Sequence, residues 1–339
     1  MHHTLENITS VENLLAAWRE FLPGKRNKLD VQAFSLRLID NILELHHELT
    51  QGMYRHGLYT HFRISDPKPR DIHKATVRDR LVHHAIYRAL YPFFSRTFIV
   101  DSFSCQLGKG THRAMQRFKT FVNQVSKNNT RTCWVLKGDI RKFFASIDQT
   151  VLLRLLAERI PDTRIMRLLQ EVIQSFSWKS GTGLPLGNLT SQLFVNIYMT
   201  PFDQWVKHQL KAEYYLRYAD DFAILSDNRK WLQRLVPTIQ DFLQTNLRLD
   251  LHPHKVFIQT LASGVDFLGW VHFPKHRVLR TSTKRRMFAR LVDHPAEPTV
   301  QSYLGLLQHG DARKLHAQVI HQIDDNRGLT GFPLSCYTL

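Results

Sequence analysis

Apolar positions along the chain switch between a helical period and a strand period, and the switch points mark out its elements. Val11–Phe21 and Val31–Leu49 carry apolar residues at helical spacing on either side of Pro23-Gly24-Lys25-Arg26, which predicts helices at the start. Tyr59–Ile64 predicts a strand. Val77–Tyr91 predicts a helix, with Leu81, Val82, Ile86 and Leu90 apolar and Arg78, Asp79, Arg80 and Arg88 polar. Ser102–Gly110 predicts a loop, followed by a helix for which Thr111 is the simplest N-cap. Cys133–Ile140 is apolar and β-prone, and Asp148 opens a helix through Ile160. The Gly/Pro-rich stretch Gly181–Gly187 leads into an apolar helix, Leu193–Leu210. Tyr214–Tyr218 and Phe222–Leu225 predict two short strands joined by a tight hairpin. Trp231–Leu247 predicts a helix, Val265–Phe273 a hairpin, and Val300–Leu307 and Ala312–Ile323 helical segments.

Composition narrows what such a chain does. It has 339 residues, room for two or three domains, with 43% hydrophobic residues. No apolar run approaches the ~20 residues of a membrane span, and Glu6, Glu12, Arg19 and Glu20 interrupt any signal-peptide pattern. Cys105, Cys133 and Cys336 are scattered and odd in number, which argues for a reducing compartment over a disulfide framework. They form no Cys-x-x-Cys knuckle, so no structural zinc site is expected despite 19 histidines. The pairs His46-His47 and His83-His84 read as polar positions near nucleic acid or solvent. The formal net charge of +17 points to a polyanionic partner without separating RNA, DNA and anionic lipid.

Three stretches carry candidate chemistry. Tyr218-Ala219-Asp220-Asp221 lifts two adjacent carboxylates to a hairpin tip. They repel unless a cation neutralises them, although an Asp pair in a turn is also ordinary turn chemistry. Asp139 ends a strand, where a metal-binding acid and a plain strand terminator both occur. Three carboxylates without a Cys–His cluster favour hard cations, hence Mg²⁺. Asp66-Pro67-Lys68-Pro69-Arg70 presents Lys68 and Arg70 on a stiff arm suited to phosphates, or simply on a surface loop. Gly108-Lys109-Gly110-Thr111 lacks the spacing of a Walker loop, so a P-loop ATPase is rejected. From Lys275 to Arg290 the chain carries seven Lys or Arg and no acid. That run, with Lys284, Arg285, Arg286 and Arg290, suits the backbone of a nucleic-acid duplex.

In order, Lys68-Pro69-Arg70, Asp139 with Phe144, Leu184-Pro185-Leu186-Gly187-Asn188-Leu189-Thr190-Ser191-Gln192, Tyr218-Ala219-Asp220-Asp221, Lys255 and Phe267-Leu268-Gly269-Trp270 resemble a reverse transcriptase over roughly residues 55–275. The resemblance implies an α+β right-hand polymerase fold: fingers, a palm of antiparallel sheet with helices, and a helical thumb. The corresponding segments are a helical extension (1–55), fingers (56–130), palm (131–274, with a finger-region insertion near 150–180) and a basic thumb (275–339). It implies a metal site at Asp139, Ile140, Asp220 and Asp221 for two Mg²⁺ ions, with Mn²⁺ as a substitute. It implies Lys255 as the lysine that protonates the leaving pyrophosphate, and Phe144 as a steric gate against the 2′-hydroxyl. Lys68, Arg70, Leu186, Gly187 and Gln192 would contact the incoming nucleotide, and Phe267, Leu268, Gly269 and Trp270 would form the primer grip.

Within that family, Pro-Leu-Gly-Asn-Leu-Thr-Ser-Gln, Asp79-Arg80-Leu81-Val82-His83-His84 and Lys109-Gly110-Thr111-His112 are similar to enzymes of diversity-generating retroelements. That likeness implies a bacterial or phage-encoded cytoplasmic enzyme. It would copy a template RNA into cDNA from dNTPs, misincorporate opposite adenine, and work with a small basic accessory variability protein. Leu186 offers a physical route to low fidelity, because it cannot make the hydrogen bond a Gln would make there; it also reads as simple packing. The alternatives are a retron-like or antiphage-defence reverse transcriptase and a catalytically silent nucleic-acid-binding scaffold. The retron branch is disfavoured by the lack of a Val-Thr-Gly motif, and a group II maturase by Ser191-Gln192.

Overall fold

The computed structural model describes residues 4–65, 69–293 and 296–328, so Lys68 and Cys336 lie outside the described residues. The chain runs α1 (Leu5–Thr9), α2 (Val11–Phe21), α3 (Leu29–Leu36), α4 (Leu38–Thr50), β1 (Thr60–Ile64), β2 (Arg70–Lys74), α5 (Val77–Phe94) and α6 (Thr111–Val125). It continues with β3 (Trp134–Asp139), α7 (Phe143–Ser146), α8 (Gln149–Ala157), α9 (Thr163–Gln174), α10 (Leu189–His208), β4 (Tyr215–Tyr218), β5 (Asp221–Ser226) and α11 (Arg229–Leu247). It closes with β6 (Phe257–Thr260), β7 (Val265–Phe267), β8 (Trp270–His272), β9 (Arg277–Leu279), α12 (Thr281–Asp293), α13 (Glu297–Leu307) and α14 (Arg313–Gly328). The helix expected over Val31–Leu49 is broken at Arg37, where the backbone leaves the helical region (φ −121°, ψ 39°). The helix after the Ser102–Gly110 loop starts on Thr111, so Thr111 is its first residue and not the N-cap expected from sequence.

Two compact units contain these elements. One comprises Met1–Gly110, Lys137–Ile224 and Lys230–Phe257; the other comprises Thr111–Leu136, Leu225–Arg229 and Ile258–Leu339.

In the first unit α5 packs against α2 and α10. Its start is fixed locally. Thr76 Oγ1 accepts from the Asp79 amide (3.2 Å) and donates to the Asp79 carboxylate (2.6 Å), a reciprocal cap that satisfies an otherwise orphaned helix donor. Tyr54 OH and the Gly57 amide also donate to Asp79, which is why a carboxylate is tolerated at full burial. Of the histidine pairs, His47 is exposed as expected from sequence and His46 and His84 are half-buried, but His83 is not a solvent-facing position. His83 is buried, with Nδ1 2.7 Å from Thr190 Oγ1 and Nε2 3.2 Å from His56 Nε2, so it ties α5 to α10. His46 Nδ1 lies 2.8 Å from the Thr9 carbonyl.

The central sheet has the order β4-β5-β3-β6. Its hairpin pairs Tyr215 with Ile224 through Tyr218 with Asp221, leaving Ala219 and Asp220 as a two-residue turn. Ala219 takes a left-handed φ of 55°, which matches the strand twist of such turns at the cost of placing an L-residue there. On β3, Gly138 lies under the buried Phe222 of β5: a Cβ at 138 would stand 2.2 Å from the ring Cζ. Only glycine lets β3 carry that ring on one face while Lys137 and Asp139 project from the other.

The second unit is a three-stranded antiparallel meander, β7-β8-β9, with helices. Leu268 and Gly269, both at positive φ (53° and 87°), make the tight β7–β8 turn. Trp270 is buried with Met115, Leu279, Met287, Leu291, Val300 and Leu304, so α6 shares its core with α12 and α13. Gly310 makes room for the indole; a Cβ there would fall 2.0 Å from Trp270 Cζ3.

Candidate active site

The first unit gathers Asp139, Asp220, Asp221 and Lys255. Asp139 is the last residue of β3 and is buried. The Ile140 amide donates to the Asp220 carbonyl (3.2 Å) and the His252 amide donates to the Asp139 carbonyl (2.7 Å). These backbone bonds register β3 between the β4–β5 hairpin and the segment that carries Lys255. Ile140 itself is buried and pairs with Leu251.

Burial first, then the Asp221 and Asp139 charges, push the Asp220 carboxyl up to about 6, while Lys255 opposes the shift. Burial also raises Asp221, against the pull of Lys137. Lys255 Nζ bridges both Asp139 oxygens at 3.1 and 3.2 Å. Lys137 Nζ stands 3.4 Å from Asp221 Oδ1, close enough for an ion pair but not aligned to donate, so that buried oxygen has no hydrogen-bond partner.

Lys137 is the site residue that motif reading missed. Its signal was present: a lysine inside an apolar strand, two residues before Asp139, shares that acid's face. Among the described residues no three His, Cys, Asp or Glu side chains close around one point as a finished metal cage. The donor set nonetheless fits a hard cation: all the donors are carboxylate oxygens, burial and then mutual repulsion raise Asp220, and Asp221 Oδ1 is unsatisfied. Asp139, Asp220 and Asp221 would hold such an ion.

The other expected contacts are distributed as follows. Arg70 begins β2 and is exposed. The β1–β2 hairpin meets the Gly/Pro loop: the His73 amide donates to the Leu186 carbonyl (3.2 Å), and Gly187 lies against Ile72. Leu186 and Gln192 are half-buried and Gly187 is exposed. Phe144 is half-buried, packs edge-on against Phe143, and its carbonyl accepts from the Leu184 amide (2.9 Å). The Gly/Pro loop is therefore tied by backbone hydrogen bonds to Phe144 on one side and to the β1–β2 hairpin on the other.

In the second unit, Phe267 and Trp270 pair across the tight turn, and the Arg280 amide donates to the Gly269 carbonyl (3.1 Å). On α12, Lys284, Arg285 and Arg290 are exposed and Arg286 is half-buried. No helix among the described residues is long and apolar enough to cross a membrane.

A four-stranded sheet with an acid at the end of one central strand and two at the antiparallel hairpin beside it defines a polymerase of the right-hand type. The structure of apo telomerase from Candida Tropicalis, truncated from its C-terminal domain, shares this fold: TM-score 0.50, 14% identity, covering 66% of this chain and 55% of that one. The model of the reverse transcriptase (RNA-dependent DNA polymerase) family matches residues 65–272, and the chain belongs to that family. Its class is RNA-directed DNA polymerase. Similar proteins include YkfC of Escherichia coli (strain K12), 25% identical over 298 residues, 76% of this chain and 75% of that protein. The group II intron-encoded protein LtrA of Lactococcus lactis subsp. cremoris is 22% identical over 287 residues, 65% of this chain and 46% of that protein. The chain thus spans three quarters of one relative and under half of the other.

Proposed function

We propose that this chain copies a template RNA into cDNA, adding dNTPs to a primer 3′-hydroxyl by in-line phosphoryl transfer. The observation that carries the reading is the convergence of Asp139, Asp220 and Asp221, with one buried carboxylate oxygen left unsatisfied. Two Mg²⁺ ions, or Mn²⁺ in their place, would activate the hydroxyl and stabilise the leaving pyrophosphate. The protein's own part is positioning. Lys137 and Lys255 offset the charge of Asp221 and Asp139. Phe144 and the Leu186 loop shape the nucleotide site, Arg70 with Lys68 supplies cations for the triphosphate, and the basic helix α12 follows the duplex backbone. Lys255 is placed on Asp139, a position from which its proton serves the leaving group once the carboxylate has another counter-ion.

The role proposed for that activity is mutagenic copying in a diversity-generating retroelement, in the cytoplasm of a bacterial host, with a small basic accessory variability protein as partner. Leu186 supports it: the side chain at this position has no hydrogen-bonding atom to offer the nascent pair. The direct test is primer extension on a defined RNA template with Mg²⁺ and all four dNTPs, followed by sequencing of the products. Errors concentrated opposite template adenines support the retroelement role. Accurate products keep the polymerase and remove that role in favour of a defence or retron-like one. Asp220→Asn with Asp221→Asn is expected to abolish extension, and unchanged activity in that variant would overturn the polymerase reading in favour of a binding scaffold.

A further inference from the structure

The fully buried Arg217 is used by nothing in the chemistry above, yet every nitrogen of its guanidinium has a partner. Nε donates to Asp203 Oδ1 (2.8 Å) and Nη2 to Asp203 Oδ2 (2.7 Å), a two-point pairing with a residue of α10. Nη2 also reaches Ser102 Oγ (3.1 Å) and Asn196 Oδ1 (3.3 Å). Nη1 donates to the carbonyl of Ala219 (2.9 Å), the left-handed residue immediately before Asp220.

That carbonyl belongs to the peptide plane from which Asp220 departs. A two-residue turn with an alanine at positive φ is not held by its own sequence. Here its orientation is held from outside, by a planar donor that Asp203 prevents from rotating. A buried ion pair often adds little stability over a well-packed apolar pair of the same volume, which leaves the geometry it imposes as the distinctive contribution of this one.

The loop after α5 completes the arrangement. The Arg217 amide donates to the Asp101 carbonyl (2.9 Å) and the Phe103 amide donates to the Arg217 carbonyl (3.0 Å), so the loop runs beside β4. Lys109, in the Gly-Lys-Gly stretch that is no phosphate loop, donates to the carbonyls of Ile99 (3.3 Å), Val100 (2.8 Å) and Ser102 (2.7 Å). Gln106 Nε2 donates to Ser102 O and Oγ, both at 3.0 Å.

We propose that Arg217 is a positioning residue for the polymerase reaction: through the Ala219 carbonyl it fixes the peptide plane that aims Asp220, and the Lys109-tied loop 99–109 holds Arg217 in register. The inference rests on the polymerase reading for its kinetic consequence, but not for its structural one.

Two variants test it. Arg217→Lys keeps the charge but replaces a fork by a single point, which cannot span Asp203 and Ala219 together. Arg217→Met with Asp203→Asn removes both charges and keeps an acceptor for Tyr215 OH, which donates to Asp203 Oδ1 (2.6 Å). Four quantities are measured: thermal midpoint, amide exchange of the Tyr215–Leu225 segment in metal-free protein, kcat, and the template–primer Kd. The expected result is exchange at the turn on the order of tenfold faster and kcat on the order of a hundredfold lower, with Kd unchanged. A double variant with wild-type exchange and kcat overturns the proposal. So does a loss of kcat that tracks global unfolding without local change at the turn. If the double variant does not fold, Lys109→Met, on a half-buried side chain, decides in the same way with smaller shifts of the same sign. A wild-type chain that extends no primer would overturn the polymerase reading alone, and the exchange comparison would still decide the brace.

Discussion

Gly138→Ala is the sharpest small perturbation of this site. The added methyl would lie 2.2, 2.5 and 2.8 Å from three atoms of the Phe222 ring. Reaching ordinary carbon contact at ~3.5 Å requires the two to separate by about 1.3 Å. The ring has little freedom to move: it is buried, with Phe202 edge-on at 5.5 Å and Tyr215 at 6.4 Å between centroids. The strand must therefore shift, and Asp139 is the next residue along it. Overpacking of this kind costs about 1–3 kcal/mol, equivalent to a fall in thermal midpoint of roughly 2–12 °C for a domain of this size. The kinetic loss should be disproportionate, on the order of a hundredfold in kcat, because an ångström of misplacement separates Asp139 from the hairpin acids. Primer extension and thermal unfolding measured side by side read both effects. Gly138→Ala combined with Phe222→Leu should recover much of each, since the second change removes the obstructing ring. A single variant with wild-type kcat and midpoint would refute the reasoning.

Leu186→Gln should lower misincorporation opposite template adenine by up to about tenfold, the worth of one hydrogen bond, as read by sequencing the cDNA; an unchanged error spectrum would exclude Leu186 as the cause. Burial, then the neighbouring His56, lower the His83 pKa to about 3. The folded chain therefore binds fewer protons there than the unfolded chain, and stability is full above pH ~6.5 and lost as pH falls from there toward 3. Between pH 7.5 and 5.5 this one residue should account for on the order of 1 kcal/mol, which His83→Gln should remove from the pH dependence of denaturant unfolding; an equal pH dependence in both proteins would contradict the assignment. Lys284→Ala with Arg285→Ala should weaken template–primer binding across sequences and reduce the slope of log affinity against log salt by roughly 0.9 for each phosphate no longer neutralised; a slope unchanged by the pair would take α12 off the backbone.

The fold was readable where local signals agree with global packing. Val11–Phe21 is the helix its periodicity describes, and the strands around Ala219-Asp220 pair as the apolar runs predict. The acids were readable because strand ends and turns are marked by composition. Two kinds of feature were hidden. The alternation of β3 marks Lys137 as sharing the face of Asp139, but its partner Asp221, like the Ala219 carbonyl that Arg217 holds, is set only by how the strands and α10 come together. His83 looked solvent-facing because a buried imidazole is recognised only by its partners, Thr190 and His56, far away in the chain. Gly138 was equally silent, since its meaning is the ring of Phe222.

The ion pairs Lys255–Asp139 and Lys137–Asp221 have a consequence for how the enzyme is assembled and stored. A cluster of acids that carries internal counter-ions for two of its members would not depend on a metal to hold its strands together. Folding and loading are then separate events, and a chelator should leave the thermal midpoint where it was while stopping synthesis. On the proposed reading, a cation reaching these acids would compete with the ammonium groups already paired with Asp139 and Asp221.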